Sequence, residues 1–230
     1  MFVATPSRHK PQPRWATPAL LALLWLAFVW ASTRPAGARP GLILEWGALT
    51  GGLDSLPAWR AALADGSALR LVTALFLHAD WAHLLGNAVF LLVFGLPAER
   101  TLGPWRFLLL FLLGGAVSNL AAVLAIGAPD RVIIGASGAV SAVIGAYVAL
   151  FPGASLGVVL PLGLFLQVVR APAIVLIGVW ALLQVVFVYI GPAFGSVAWS
   201  AHAAGFVFGV AYALSVRAAI ARRLRRRHGF

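Results

Sequence analysis

The stretch Arg131–Pro152, RVIIGASGAVSAVIGAYVALFP, decides how the rest of the chain is read. It opens on a charge, passes through Gly135-Ala136-Ser137-Gly138, continues as an apolar helical run and stops at Pro152-Gly153. Gly135 lets the backbone turn tightly, and Gly138 leaves room for a second backbone or a ligand to approach. The first N–H groups of a helix lack internal partners, and the helix dipole favours negative charge there. An oxyanion formed by attack of Ser137 on a carbonyl would meet donors already aimed at it. The same letters have a plainer reading. Gly138, Ser141, Ala142 and Gly145 are the small residues of ordinary helix packing in a membrane.

The surrounding composition fixes the setting. Of the 230 residues, 62% are hydrophobic and 10% charged, and the mean hydropathy is +0.96. Such a chain is a polytopic membrane protein of all-α class, with room for about six spans of roughly 20 residues. The absence of cysteine removes disulfides, thiolate catalysis and cysteine metal sites.

Outward from the serine, spans are expected at 15–32, 81–96, 105–126, 137–152, 171–190 and 199–219, with a hinge at Pro97–Gly103 between the second and third. Residues 1–14 read as a disordered cytosolic tail, 33–80 as an interfacial loop carrying Trp46 and Trp59, and 220–230 as a basic cytosolic tail. Ala31-Ser32-Thr33 raises a signal-peptide alternative for the first span, but the apolar run is long for a cleaved segment, and an uncleaved span is preferred. Residues 153–170 are apolar, yet Gly153, Pro161 and Gly163 interrupt them and they are too short to span. The loop Gly191–Ala198 is the candidate lid.

Six spans put both termini on one side. Twelve of the 17 Lys and Arg fall on that side, and Arg34, Arg39, Arg60, Arg70 and Arg131 on the other. The positive-inside rule then places the termini in the cytosol. The +11 charge reads as a topology signal and a contact with anionic lipid, and not as nucleic-acid binding.

Of five histidines, His78, His83 and His202 flank or enter apolar spans. Ionisable groups in such places suggest function. Spans two, four and six all run from outside to inside, so His83 with Asn87, Ser137 and His202 fall at similar depth near the outer face. Ser137 to Pro152 is about 24 Å of helix against roughly 30 Å of hydrocarbon, which sets the serine several Å below the outer surface. Gly205 and Gly209 form a GxxxG pair that would let the sixth helix approach Gly138, Ser141 and Gly145.

HADWAHLLGN, then GASG, then AHAAGFVFG resembles the rhomboid family of intramembrane serine proteases, over about Arg70 to Gly209. The resemblance implies a six-helix bundle of the rhomboid type that cuts a transmembrane protein substrate without cofactor or metal. It implies Ser137 as nucleophile, His202 as general base, and His83, Asn87, Gly135 and the Ser137 N–H around the oxyanion. Gly138, Gly205, Gly209, Arg70 and Glu99 would support them. A bacterial cytoplasmic membrane is the expected location. Ser141 stands where an aromatic residue is often found, and Leu69 where a tryptophan often precedes the loop arginine.

Other readings were weighed on the same residues. His78 reads most simply as a backbone-bonded histidine at a loop end. His83 and Asn87 could be polar residues at the helix start, and Asp80 should face the interface instead of completing a triad. A proteolytically inactive relative, acting in membrane binding or trafficking, would lack the serine or the histidine. A transporter or metal site on the three histidines lacks a buried carboxylate partner, and HxxxxH is not a metalloprotease spacing. Substrate identity and oligomeric state are not written in the sequence.

Overall fold

The computed structural model describes residues 14–51, 53–126, 131–162, 165–175, 177–179, 181–182 and 199–228. The chain forms a helical bundle with α1 (Ala16–Ser32), α5 (Trp81–Leu102), α6 (Pro104–Ala125), α7 (Ser137–Leu150) and α8 (Trp199–His228). Three of these, α5, α6 and the Trp199–Arg222 part of α8, are long and apolar enough to cross a membrane; α1 and α7 are shorter apolar helices. The loop expected to be interfacial holds α2 (Arg39–Trp46), β1 (Ala48–Leu49), α3 (Leu56–Ala64) and α4 (Arg70–Thr73).

Helix α7 is the axis. Every residue from Gly138 to Tyr147 is buried, which small side chains permit because neighbouring backbones can close on them. Around it Leu84, Leu91, Phe107, Leu110, Phe111 and Ile144 join one apolar core. The large exposed residues, among them Leu26, Trp105, Leu113 and Val207, project outward from the bundle. An apolar exterior of this kind is what a lipid solvent requires.

Helix α5 departs from expectation. The second span was expected to end at Leu96, ahead of a hinge at Pro97–Gly103, but the helix runs unbroken to Leu102. A π-helical segment, Leu91–Gly95, precedes Pro97, which sits in the first turn of the following α-helical segment. The missing proline N–H is therefore absorbed where the ladder has already shifted. The chain turns instead at Gly103, with φ 86°. Glu99, inside that same stretch, is 1% exposed. Its carboxyl oxygens accept from Ala16 N and Thr17 N, each at 2.9 Å. These are first-turn donors of α1 with no partner in their own helix, where a carboxylate is favoured. At the same end Trp15 packs edge-on against Trp105.

Two small antiparallel sheets are additions that the hydrophobic pattern did not announce. β1 pairs with β2 (Val132–Ile133) in the register Ala48↔Ile133 and Leu49↔Val132. β3 (Ser155–Leu162) pairs with β4 (Phe165–Pro172), from Ser155↔Pro172 to Leu162↔Phe165. Residues 153–170 thus do not form a spanning helix, and the next helical residues begin at 173, not at Ala171. Residues 176, 180 and 183–190 of the expected fifth span, the candidate lid Gly191–Ala198 and the 1–13 part of the N-terminal tail lie outside the described residues. Helix α8 continues to His228, so the basic segment extends the last helix.

Candidate active site

The GASG segment is held from both sides before it enters α7. Upstream, Thr50 accepts from Arg131 N at 3.1 Å, while Thr50 N donates to Arg131 O at 3.0 Å. These contacts extend the β1–β2 pairing and tie the segment to the outer loop. The loop is in turn pinned to the bundle, since Asn119 Nδ2 of α6 donates to Leu71 O at 2.8 Å. Gly135 N donates to Ala74 O at 2.9 Å. Gly135 itself has φ +110°, and a Cβ there would meet the His83 ring at 2.5 Å. Only glycine satisfies both the conformation and the space.

Ser137 is the first residue of α7, so its N–H belongs to the unpaired first turn. Its Oγ lies 2.8 Å from His202 Nε2, although the two residues are 65 apart in sequence. Helix packing explains the approach. Gly205 lies against the Gly138 carbonyl, Gly209 against the Ala142 carbonyl, and Gly145 against the Phe206 backbone. The sequence set Gly205 and Gly209 together against Gly138, Ser141 and Gly145; Gly205 meets Gly138, and Gly209 meets Ala142. At these three places a methyl group would collide with backbone, which cannot rotate aside.

The other residues named from the sequence distribute as follows. The His83 ring covers Gly135 and meets the His78 ring edge-on, with centroids 5.0 Å apart. Asn87, one turn below His83 on α5, is buried, and its Nδ2 has no hydrogen-bond partner among the described residues. A buried orphan donor is disfavoured by about 1–3 kcal/mol unless something else uses it. Asp80 is exposed and caps α5, accepting from His83 N at 2.8 Å, and so does not extend the serine–histidine pair. Arg70 lines a cavity of about 100 Å³ with Ala48, Leu49, Leu53, Ser67 and Leu71. Glu99 fastens α1 at the opposite end of α5 from His83. Among the described residues no group of three or more metal-ligating side chains occurs.

The His78 ring is buried against His83, and its nitrogens meet no partner at full hydrogen-bonding geometry among the described residues. Burial, and next the neighbouring His83, push its pKa down to about 4, against weaker opposition from the Phe76 backbone and Asp80. A proton is therefore disfavoured on this ring.

One residue of the site, Ser118, and one hydrogen bond, that of Ser141, went unforeseen. Ser118 of α6 donates from Oγ to Gly114 O at 2.6 Å and packs into the notch left by Gly138 and Gly205. Its one sequence signal was a small polar residue in an otherwise apolar run. Ser141 Oγ donates to Ser137 O at 2.7 Å. Where an aromatic ring was the family expectation, a short back-bond to the preceding turn stands instead.

The Rhomboid domain profile matches residues 65–219. The chain belongs to the rhomboid family. Among similar proteins, "Putative rhomboid protease YdcA" of Bacillus subtilis is 34% identical over 130 residues, 56% of this chain and 57% of that protein. "RHOMBOID-like protein 5" of Arabidopsis thaliana is 31% identical over 87 residues, 38% of this chain and 28% of the relative. "Rhomboid protease GluP" of Bacillus subtilis is 39% identical over 90 residues, 38% of this chain and 17% of the relative. The matched part is thus little more than half of the first relative and under a third of the other two. Rhomboids with both protease and rhomboid-like names are among the proteins it resembles, and three apolar helices of spanning length mark this one as an integral membrane protein.

Proposed function

We propose that this rhomboid is an intramembrane serine endopeptidase, acting through Ser137 and His202. The observation that carries the reading is the 2.8 Å approach of Ser137 Oγ and His202 Nε2 at the junction of α7 and α8. With His202 Nε2 unprotonated, the imidazole accepts the hydroxyl proton as Oγ attacks the substrate carbonyl carbon. The resulting oxyanion is met by the Ser137 N–H, His83 and the orphan Nδ2 of Asn87. His202 then returns the proton to the departing amine, and water releases the acyl group by the same sequence in reverse roles.

The charge distribution supports cytosolic termini and a site facing the outer side of a bacterial cytoplasmic membrane. In that orientation the substrate is a single-span protein cut near the outer end of its helix. Its carbonyls are hidden in helical hydrogen bonds, so small or helix-weakening residues near the cut favour attack. Lipid is the standing partner, and neither cofactor nor nucleic acid enters the reaction.

The test is labelling of the purified protein by a fluorophosphonate probe, with cleavage of a single-span test substrate in parallel. Ser137→Ala and His202→Ala each abolish turnover, and the double variant is no worse than either single one, because the two act as a unit. Substantial cleavage by Ser137→Ala removes the reading. Cleavage products cut in the cytosolic half of the substrate helix would overturn the orientation.

A further inference from the structure

The start of α5 carries His83 and Asn87, and it is gripped from outside the helix. Arg39, at the head of α2, donates from Nη2 to His78 O at 3.3 Å and to Ala79 O at 2.5 Å. The same guanidinium lies 6.0 Å from the Phe28 ring of α1. Trp81, the first residue of α5, packs edge-on against Phe28 at 4.6 Å and against Trp25 at 5.5 Å. One turn of chain, His78 to Trp81, is therefore held to the end of α1 and the head of α2.

The two carbonyls matter because they lie between a 3₁₀ turn (Ala74–Phe76) and the first helical hydrogen bond of α5, where no strand or helix offers them a donor. From that turn the geometry passes inward in short steps. Asp80 Oδ1 fixes His83 N, the His78 ring touches the His83 ring, and the His83 ring lies over Gly135 beside Ser137. These turns of α5 bury Leu84, Asn87 and Ala88 against the bundle and leave Trp81, Leu85 and Val89 exposed, so the contacts at residues 78–81 fix where the helix begins.

We propose that Arg39 is a positioning residue for the oxyanion side of the site. By clamping the His78 and Ala79 carbonyls it sets the starting point of α5, and with it the place of the His83 ring over Gly135. The proposal rests on Ser137 and His202 being the catalytic pair. A guanidinium suits the task, because one planar NH₂ group directs two hydrogens at fixed angles toward two neighbouring carbonyls, whereas an ammonium on a flexible stem holds neither angle. Because Arg39 touches no reacting atom, its loss displaces a donor without removing it, and small displacements of that kind lower turnover by up to about a hundredfold.

The experiment uses the full chain in detergent with Arg39→Ala and Arg39→Lys. Hydrogen exchange followed by mass spectrometry should show faster exchange across residues 78–87 in Arg39→Ala, with α7 and the lower half of α5 unchanged. Turnover should fall about ten- to a hundredfold in kcat with KM nearly constant, and Arg39→Lys should recover part of it. In the His83→Ala background, Arg39→Ala should add little further loss, since the ring it places is gone. Wild-type exchange across 78–87 in Arg39→Ala overturns the clamp, and losses that multiply fully with His83→Ala overturn the positioning role. If the wild type shows no Ser137-dependent labelling, the catalytic reading fails on that arm alone, while the exchange arm still decides whether Arg39 holds the turn.

Discussion

The two sides of the site are held by different physics. Ser137 and His202 meet because α7 and α8 touch backbone to backbone, through Gly205, Gly209 and Gly145. Close contact of this kind has no intermediate positions: the helices either seat or do not. His83 and Asn87 ride on the outer turns of α5, above a π-helical segment, with exposed side chains along one face. Their placement depends on a cap, a ring contact and two hydrogen bonds to a loop, each of which can be loosened by degrees. The proposed nucleophile and base thus sit on a rigid seam, and the groups proposed to meet the developing charge sit on an adjustable arm.

The largest expected effect breaks the seam. Gly209→Val places methyl groups on the Ala142 carbonyl, and overpacking a tight contact is unfavourable by about 1–3 kcal/mol or more. Fluorophosphonate labelling should disappear, and the thermal transition should fall with it. Retained labelling with normal stability would mean that the helices have slack and that the contrast between the two sides is wrong.

A graded effect is expected on the arm. Asn87→Ala should lower kcat by about 10²–10³ while Ser137 stays labelled. Because the buried Nδ2 has no partner among the described residues, the substitution should leave thermal stability unchanged or raised. A clear loss of stability would show instead that the amide is a structural bond, and the trade between fold and function argued for this residue would be lost.

The smallest effect is in pH. His78 has a pKa of about 4 in the fold against 6.5 for the free side chain. Above about pH 6.5 the ring is neutral in both states and has no effect on the balance. As pH falls from 6.5 toward 4 the unfolded chain takes up the proton first, so stability declines across that window and levels off below it. Thermal melts between pH 7 and 4 should show this slope, and His78→Phe should flatten it. Equal slopes in both proteins would place the ring in contact with water.

Sequence patterning revealed the bundle because lipid enforces a simple code: long apolar runs, small residues where helices touch, and charge at the ends. The nearness of Ser137, His83 and His202 followed from parity of spans and from the motif resemblance, and the close approach of α8 to α7 followed from the GxxxG spacing. What stayed hidden depends on distant partners. Arg39 looks like any loop cation until the His78 and Ala79 carbonyls are placed beside it. Pro97 reads as a break because nothing in the letters marks the preceding π-helical segment that accommodates it. The β1–β2 pairing joins two residues to two others more than eighty positions away, too short a pattern to register as alternation.

Glu99 also bears on how the protein is made. The donors it satisfies at Ala16 and Thr17 lie 83 and 82 residues earlier in the chain. During synthesis α1 is in place long before the ribosome reaches the residue that fastens it, and α5 must be threaded to its far end first. Until then those two amides lack the partner that they have in the fold. The first helix to arrive is held loosely through the making of the second, and the arrival of one carboxyl group turns a pair of neighbours into a closed unit on which the remaining helices can be laid.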